Sequence, residues 1–254
     1  MKIDLNADIG EGYGHYRMGD DEALMDIITS ANIACGFHAG DPVIMDRTLR
    51  QAAARGIDIG AHVGFPDMLG FGRRVIQADP QELAKYVLYQ LGALSGLARA
   101  AGCRVGHMSF HGALGNMAAA DDALAEPLLS AIAQFDPEII ISVSTNTAIE
   151  RAAVRHGLPC ATAFLADRAY DDQGALVSRK LPGAVIEDKQ AVLQRVVELL
   201  RTGSVASITG TPLPMPVKQI LVHGDTPGAV ALARAIRSAI EEAGGSVTPV
   251  SQLL

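Results

Sequence analysis

The chain is short of aromatic side chains. They make up 4% of 254 residues, and tryptophan is absent. That shortage argues against the stacking platforms that hold single-stranded nucleic acids or sugars. Positive charge is also scarce. There are 21 Lys and Arg against 28 Asp and Glu, a net charge of −7, and no basic run occurs, so no nucleic-acid partner is expected. No uninterrupted apolar stretch is long enough to span a membrane. The opening Met-Lys-Ile-Asp-Leu-Asn-Ala-Asp puts two acids where a secretory leader needs its apolar segment. The three cysteines, Cys35, Cys103 and Cys160, are odd in number, far apart and free of any CxxC spacing. They suggest neither a zinc knuckle nor a redox pair, and they fit buried reduced thiols in the cytoplasm. Aliphatic side chains are what is abundant. Hydrophobic residues reach 49% and charged ones only 19%, which excludes a disordered chain. The length suits one α/β barrel or two small domains.

One rhythm runs through the sequence. Glycine repeatedly closes a helical stretch and precedes a short β-rich run: Gly56 before Ile57–Ile59, Gly102 before Cys103–Val105, Gly157 before Leu158–Ala161, Gly203 before Ser204–Ile208, and Gly244 and Gly245 before Ser246–Val250. Gly just past a helix end is expected, because it enters the left-handed region without a Cβ penalty. Helix starts are marked by Asp79-Pro80-Gln81-Glu82, Asp41-Pro42 and Thr226-Pro227, each a capping residue followed by proline. These signals predict helices over 42–55, 80–101, 122–134, 147–156, 188–202 and 227–243. Strands are predicted near 3–7, 31–34, 57–62, 104–110, 139–143, 160–164 and 219–223. Short strands alternating with helices imply parallel β/α units. No linker interrupts them, so residues 1–254 are expected to form one domain. The Gly10-Glu11-Gly12-Tyr13-Gly14 run does not lead into a helix as a dinucleotide fingerprint would, and no Walker A loop occurs. A single β/α barrel of seven or eight parallel strands is therefore predicted over an open doubly wound sheet, with aliphatic side chains filling its inner layers.

Polar residues gather where those strands end. Asn6, Asp8 and Glu11 follow the first, His38 and Asp41 the second, His62 the third and His111 the fourth. Asp167 and Arg168 follow the sixth, and His223 and Asp225 the last. In a parallel barrel these ends converge on one rim, where barrel active sites are built. Taken singly, each has a plain structural role: Asp41 as a helix cap, the glycines as turn residues, a lone His as a hydrogen-bonded side chain. Together they put acid, base and ligand types in one place, which hydrolysis needs. Two chemistries fit. Asp8, His62 and His111 could hold a divalent metal ion that activates water. Alternatively, histidines and carboxylates could serve as acid and base around a phosphorylated intermediate, with helix N-termini holding the phosphate. Several of the few aromatics (Tyr13, Tyr16, Phe37, Phe65, Phe71 and Phe110) fall beside these motifs and could wall a small substrate from water.

The motifs are similar to those of the LamB/YcsF family, also called the A subunit of ATP-dependent 5-oxoprolinase. The matching blocks run in order along the chain: Asp4–Gly12, Ser30–Pro42, Gly60–Asp67, Phe71–Arg74, Ala166–Tyr170 and Val222–Gly228. The resemblance implies a β/α barrel like those of the glycoside hydrolases and deacetylases. It implies opening of the lactam 5-oxo-L-proline to L-glutamate with hydrolysis of ATP, alongside partner subunits B and C. Phosphorylating a stable amide oxygen creates a better electrophile, which gives the coupling a physical sense. The same resemblance makes Asp8, Glu11, His38, His62, His111, Asp167 and Arg168 the catalytic candidates, with Asn6, Asp41, His223 and Asp225 toward ATP or substrate. The chain departs from the family pattern at three positions. Ser109 stands for a lysine and Gly115 for a tyrosine in Ser109-Phe110-His111-Gly112-Ala113-Leu114-Gly115-Asn116, and Ala163 stands for a glutamate. Such changes point to a lost charge pair or a changed substrate. They leave a metal-dependent hydrolase of the deacetylase-barrel type, or a binding or regulatory subunit, as alternatives.

Overall fold

A computed structural model describes all 254 residues. Strands and helices alternate from the start: β1 (Lys2–Ile9), α1 (Asp21–Met25), β2 (Ser30–Ala34), α2 (Pro42–Ala54), β3 (Asp58–Val63), α3 (Pro80–Ala100), β4 (His107–Phe110), α4 (Gly112–Ala120) and α5 (Asp122–Phe135). The chain continues through β5 (Ile140–Val143), α6 (Ala148–Arg155), β6 (Cys160–Leu165), α7 (Lys189–Thr202), β7 (Ser204–Ala206), β8 (Pro212–Pro214), β9 (Gln219–Val222), α8 (Ala229–Glu242) and β10 (Ser246–Val247). Strands β1 to β6 and β9 pair in parallel, and β9 closes back onto β1 through Asp4↔Gln219 to Ala7↔Val222. The result is a closed barrel of seven parallel strands, as the alternating rhythm predicts. Short β10 adds to β1 at its start.

Capping fixes the helix starts. Asp41 accepts from the Val43 and Ile44 amides, and Asp79 from those of Gln81 and Glu82, each with proline at the first helical position. The Thr226-Pro227 signal does not hold. Helix α8 begins at Ala229 behind Gly228, whose φ of 82° and lack of a side chain leave no capping bond, so Thr226 and Pro227 lie in the preceding turn. The stretch Ser204–Val217, expected from its Thr-Gly-Thr-Pro-Leu-Pro-Met-Pro sequence to be a local excursion before the last unit, is one. Its strand β7 pairs antiparallel with β8 outside the barrel, because Pro212 and Pro214 flank a two-stranded excursion before β9. Helices α1 and α4 carry no periodic signal long enough to announce them.

The aliphatic core does not fill the barrel. Ile3, Leu5, Ala7 and Ile9 of β1 point outward and pack with the helices, as do Ala31, Ile33, Met108, Ile220 and Val222. The alternate positions of β1, β2 and β4 point inward and are polar, as is Ser142 of β5. Asp4, Asn6, Asp8, Ser30, Asn32, His107, Ser109 and Ser142 are all buried. Apolar side chains enter the barrel on its other side, with Ile140, Ala161 and Val250 as a small plug near the bottom and Ala163, Leu165 and Leu221 lining the cavity at the rim. The expectation of aliphatic inner layers is corrected for β1, β2 and β4, which alternate polar-in and apolar-out under a sleeve of Ala-rich helices, while β6 keeps Ala161, Ala163 and Leu165 at the inward positions.

Candidate active site

The barrel's polar filling forms hydrogen-bonded groups at successive levels along its axis. At the bottom, the Asp4 carboxylate accepts from the hydroxyls of Thr29 (2.8 Å) and Ser30 (2.7 Å) and from the Gln219 amide (2.8 Å). Burial still pushes its pKa up to about 6. One layer higher, His107 Nε2 lies 3.1 Å from Asn32 Oδ1 and must donate to it, since an amide oxygen only accepts. Asn32 Nδ2 then donates to Asp8 Oδ1 at 2.9 Å. The His107 ring occupies the place of a side chain at Gly60, where a Cβ would sit 2.1 Å from Nε2. Both polar atoms of Asn6 and the His107 Nδ1 are buried without a partner.

At the C-terminal rim the network meets four more buried groups. Asp8 Oδ2 is 3.4 Å from His62 Nε2, and His62 Nε2 is 2.9 Å from His111 Nδ1. His38 stacks on His111 with ring centres 3.8 Å apart and reaches Glu11 Oε1 at 3.3 Å. Gly72, at φ 62°, makes room for this stack, since a Cβ there would lie 2.7 Å from both His38 and His111. Burial drives His62 and His111 down to about 3 and His38 well below its usual range, so all three rings are neutral at pH 7. Burial also raises the Asp8 and Glu11 carboxyls, Glu11 further through the Asp8 charge.

The hydrogen bonds fix the tautomer of His111 and leave two for His62. His111 Nε2 donates to the Phe71 carbonyl at 2.7 Å, which leaves Nδ1 bare and turned inward. His62 Nδ1 lies 2.7 Å from Ser109 Oγ. That hydroxyl can donate, letting His62 donate in turn to His111, or accept, leaving His62 Nε2 bare. The second arrangement is the one a cation requires. Ligand atoms of Glu11, His38, His62 and His111 lie within 4.8 Å of one another, and one oxygen with three neutral imidazole nitrogens suits a borderline divalent ion. This buried cluster could therefore hold a metal. Asp8, expected as a ligand, sits beside the set through its contact with His62 rather than within it, while Glu11 and His38 join it.

A second group lies across the rim. His223 Nδ1 contacts both Asp167 oxygens at 2.8 and 2.9 Å. Burial opposes charge on the imidazole, but Asp167 outweighs it and raises the pKa. Arg73 pairs with Asp225 at 2.7 Å and ties the loop after β3 to the loop after β9. Arg168 is buried, with its guanidinium donating to the carbonyls of Ala184 (3.2 Å) and Val177 (2.7 Å). Asp8, His62, His111, Arg168 and His223 all line one cavity of ≈ 140 Å³, and Ser109, Gly115 and Ala163 line it too. The three departures from the family pattern thus share one wall system. At Gly115 the backbone is closed to any side chain, since a Cβ would lie 2.8 Å from the Phe110 carbonyl.

The cavity does not gather everything. Asp41 stays outside it as a helix cap that also accepts from the Gly14 amide. Asn6 lies below it, inside the barrel. Among the aromatics, Phe110 lines the cavity and Phe71 packs edge-on against His38 and His111. Tyr13 and Tyr16 are exposed, Phe65 is fully buried, and Phe37 stacks on Tyr89, so these do not wall the site. Sequence reasoning passed over His107, Arg73 and Arg179. The signal for His107 was its spacing, two residues before Ser109 on one strand face.

The model of the LamB/YcsF family matches residues 3–254. The chain belongs to the LamB/YcsF family. It is 65% identical to the second 5-oxoprolinase A subunit of Ralstonia nicotianae, covering 100% of this chain and 98% of that one. It superposes on the lactam utilization protein of Thermus thermophilus with a TM-score of 0.91 at 38% identity, over 98% of this chain and 99% of that one. A peptidoglycan deacetylase from Bacillus subtilis matches at a TM-score of 0.50 and 11% identity, over 99% of this chain and 88% of that one. That likeness concerns the barrel fold alone. No helix is long and apolar enough to cross a membrane, and all three cysteines are free.

Proposed function

We propose that this LamB/YcsF member is the A subunit of a 5-oxoprolinase, which opens the lactam 5-oxo-L-proline to L-glutamate within a complex that hydrolyses ATP. The observation that carries the reading is the cavity itself. It places buried Asp8, neutral His62 and His111, and His223, which Asp167 holds from behind, around ≈ 140 Å³. That is below the ~300–1,000 Å³ of sites for drug-sized ligands, and it suits a small ring. Near-identity in length to relatives bearing that name supports it. ATP use, partner subunits B and C, and action in the cytoplasm belong to the same reading, the last supported by the free thiols.

In this reading the chain divides the work between two walls. Asp8, held by Asn32, and Glu11, beside His38, supply carboxylates that can take a proton from water next to neutral His62 and His111. His223 carries a proton whose loss Asp167 opposes, and it stands ready to give one to the leaving lactam nitrogen. Arg73 and Asp225 bridge the loops over the opening. The Glu11, His38, His62 and His111 set favours a metal-assisted form of this hydrolysis. A divalent ion held there would polarise the amide carbonyl or acidify a water.

The test is reconstitution of the chain with subunits B and C and measurement of 5-oxoproline-dependent ADP release. Release that depends on this chain and falls at least about 100-fold in His62→Ala is the expected result, the scale on which losing the placement of the reacting groups costs rate. Unchanged turnover in His62→Ala would overturn the site assignment, and no 5-oxoproline dependence would overturn the activity.

A further inference from the structure

The cationic groups around the cavity are not all paired by contact. Asp167 is matched by His223, and Asp225 by Arg73. Arg168 and Arg179 line the same cavity, yet neither forms an ion pair with any carboxylate of the chain. Arg168 is buried and spends Nε and Nη2 on two backbone carbonyls, while Nη1 makes no bond. Arg179 reaches only the His223 Nε2, at 3.5 Å, itself a nitrogen. Asp8 and Asp167 stand near enough to act on these guanidiniums through space, but no carboxylate of the chain touches either one, so donors aimed into the cavity are left for an incoming anion. Their placement is built. The loop after β6 that carries them has its own small core of Ala169, Val177 and Ala184 and two bridges, Arg168↔Val185 and Tyr170↔Leu176. Around the ring of seven strands, β6 and β9 stand opposite β3 and β4, which carry His62 and His111.

We propose that Arg168 and Arg179 form an oxyanion-binding subsite that anchors a small substrate, by a carboxylate or phosphoryl group, so that its amide faces the histidine wall. Guanidinium forks match both groups in geometry. This rests on the lactam reading for the identity of the amide but not for the anion. Arg179 is the binding residue that tests it, since it is exposed on a loop and its replacement leaves the core untouched.

Calorimetric titration of the full chain, wild type and Arg179→Gln, with 5-oxoproline, 2-pyrrolidinone (the same ring without a carboxylate) and inorganic phosphate decides it. A charged hydrogen bond of this kind should make 5-oxoproline bind about 10- to 100-fold more tightly than 2-pyrrolidinone. Arg179→Gln should erase that preference and Arg179→Lys restore part of it. Arg179-dependent phosphate binding with no preference between the two lactams assigns the site to a phosphoryl group. Arg179-dependent binding of phosphate with neither lactam bound upholds the subsite and defeats the 5-oxoprolinase reading. If Arg179→Gln binds all three ligands as the wild type does, or the wild type binds no anion, the subsite does not exist.

Discussion

Replacing Gly60 by alanine tests whether the barrel interior is a working network or mere filling. A Cβ at position 60 would lie 2.1 Å from His107 Nε2, 2.3 Å from Cδ2 and 2.5 Å from Cε1. The His107 ring is fully buried and cannot swing into solvent. Overpacking of this sort costs about 1–3 kcal/mol. Displacing the ring also breaks its bond to Asn32 Oδ1, and a buried acceptor left unpaired adds about 1–3 kcal/mol. Gaining a β carbon in a strand returns roughly 0.5–1 kcal/mol. The net loss is about 1–5 kcal/mol, centred near 3, or roughly 5–15 °C in Tm at that centre for a chain of this size. Thermal unfolding of four proteins resolves the cause: wild type, Gly60→Ala, His107→Ala and the double variant. With the ring gone, the new methyl fills space instead of clashing, so Gly60→Ala should be neutral or stabilising in the His107→Ala background. Equal cost in both backgrounds would refute the packing argument. Turnover adds a second readout, because a displaced His107 releases Asn32 and hence Asp8.

Three further outcomes follow from the same geometry. If the Glu11–His38–His62–His111 cluster holds a divalent ion, an ion at about 100 times its Kd should add roughly 2.7 kcal/mol of stability. Glu11→Gln should abolish the Tm rise, and Ser109→Ala, which removes the group orienting His62, should weaken affinity about 10- to 100-fold; an unchanged Tm on adding zinc, manganese or iron would exclude the site. Burial holds His107 at about 4 against an ordinary 6.5, so the unfolded chain takes up its proton first as pH falls. Stability from this group is complete above about pH 6.5 and is lost through pH 4, amounting to about 3 kcal/mol; urea unfolding of wild type and His107→Gln should converge over that window, and a constant gap would contradict it. Asp167→Asn should lower the His223 pKa, read by NMR titration of the ring protons, because the adjacent opposite charge that raises it is removed. An unmoved titration would mean that Asp167 does not set the charge of His223.

The seven barrel strands and the main helices were legible because capping residues and glycines mark them in the sequence. The convergence of Asp8, Glu11, His38, His62 and His111 was legible because strand ends of a parallel barrel share a rim. The exact ligand grouping was not. Whether Asp8 or Glu11 stands among the three histidines depends on side-chain reach across strands, and no spacing encodes that. Arg179 was hidden for a similar reason: it sits on a long loop whose fold is set by contacts among Ala169, Val177 and Ala184 rather than by any periodicity.

The polar barrel interior is the instructive case, because its signal was present. In β1 the even positions read Asp4, Asn6, Asp8 and the odd ones Ile3, Leu5, Ala7, Ile9, a strict alternation. Ser30 and Asn32 against Ala31 and Ile33 repeat it in β2, and His107 and Ser109 against Met108 and Phe110 in β4. Parallel strands covered by helices on one face ordinarily read as continuous apolar runs, because the other face is buried as well. Alternation in a parallel strand therefore carries a specific meaning. One face must be apolar to hold the helices, so the polar face can only be the barrel's inside. Burying Asp4, Asp8, Asn32 and His107 there costs stability unless each finds a partner, and the chain of bonds from His107 through Asn32 to Asp8 supplies those partners. A barrel that needed only to be stable would be filled more cheaply with valine and leucine. An interior that instead leads, bond by bond, to the carboxylate beside His62 is best understood as the rigid support of the site above it.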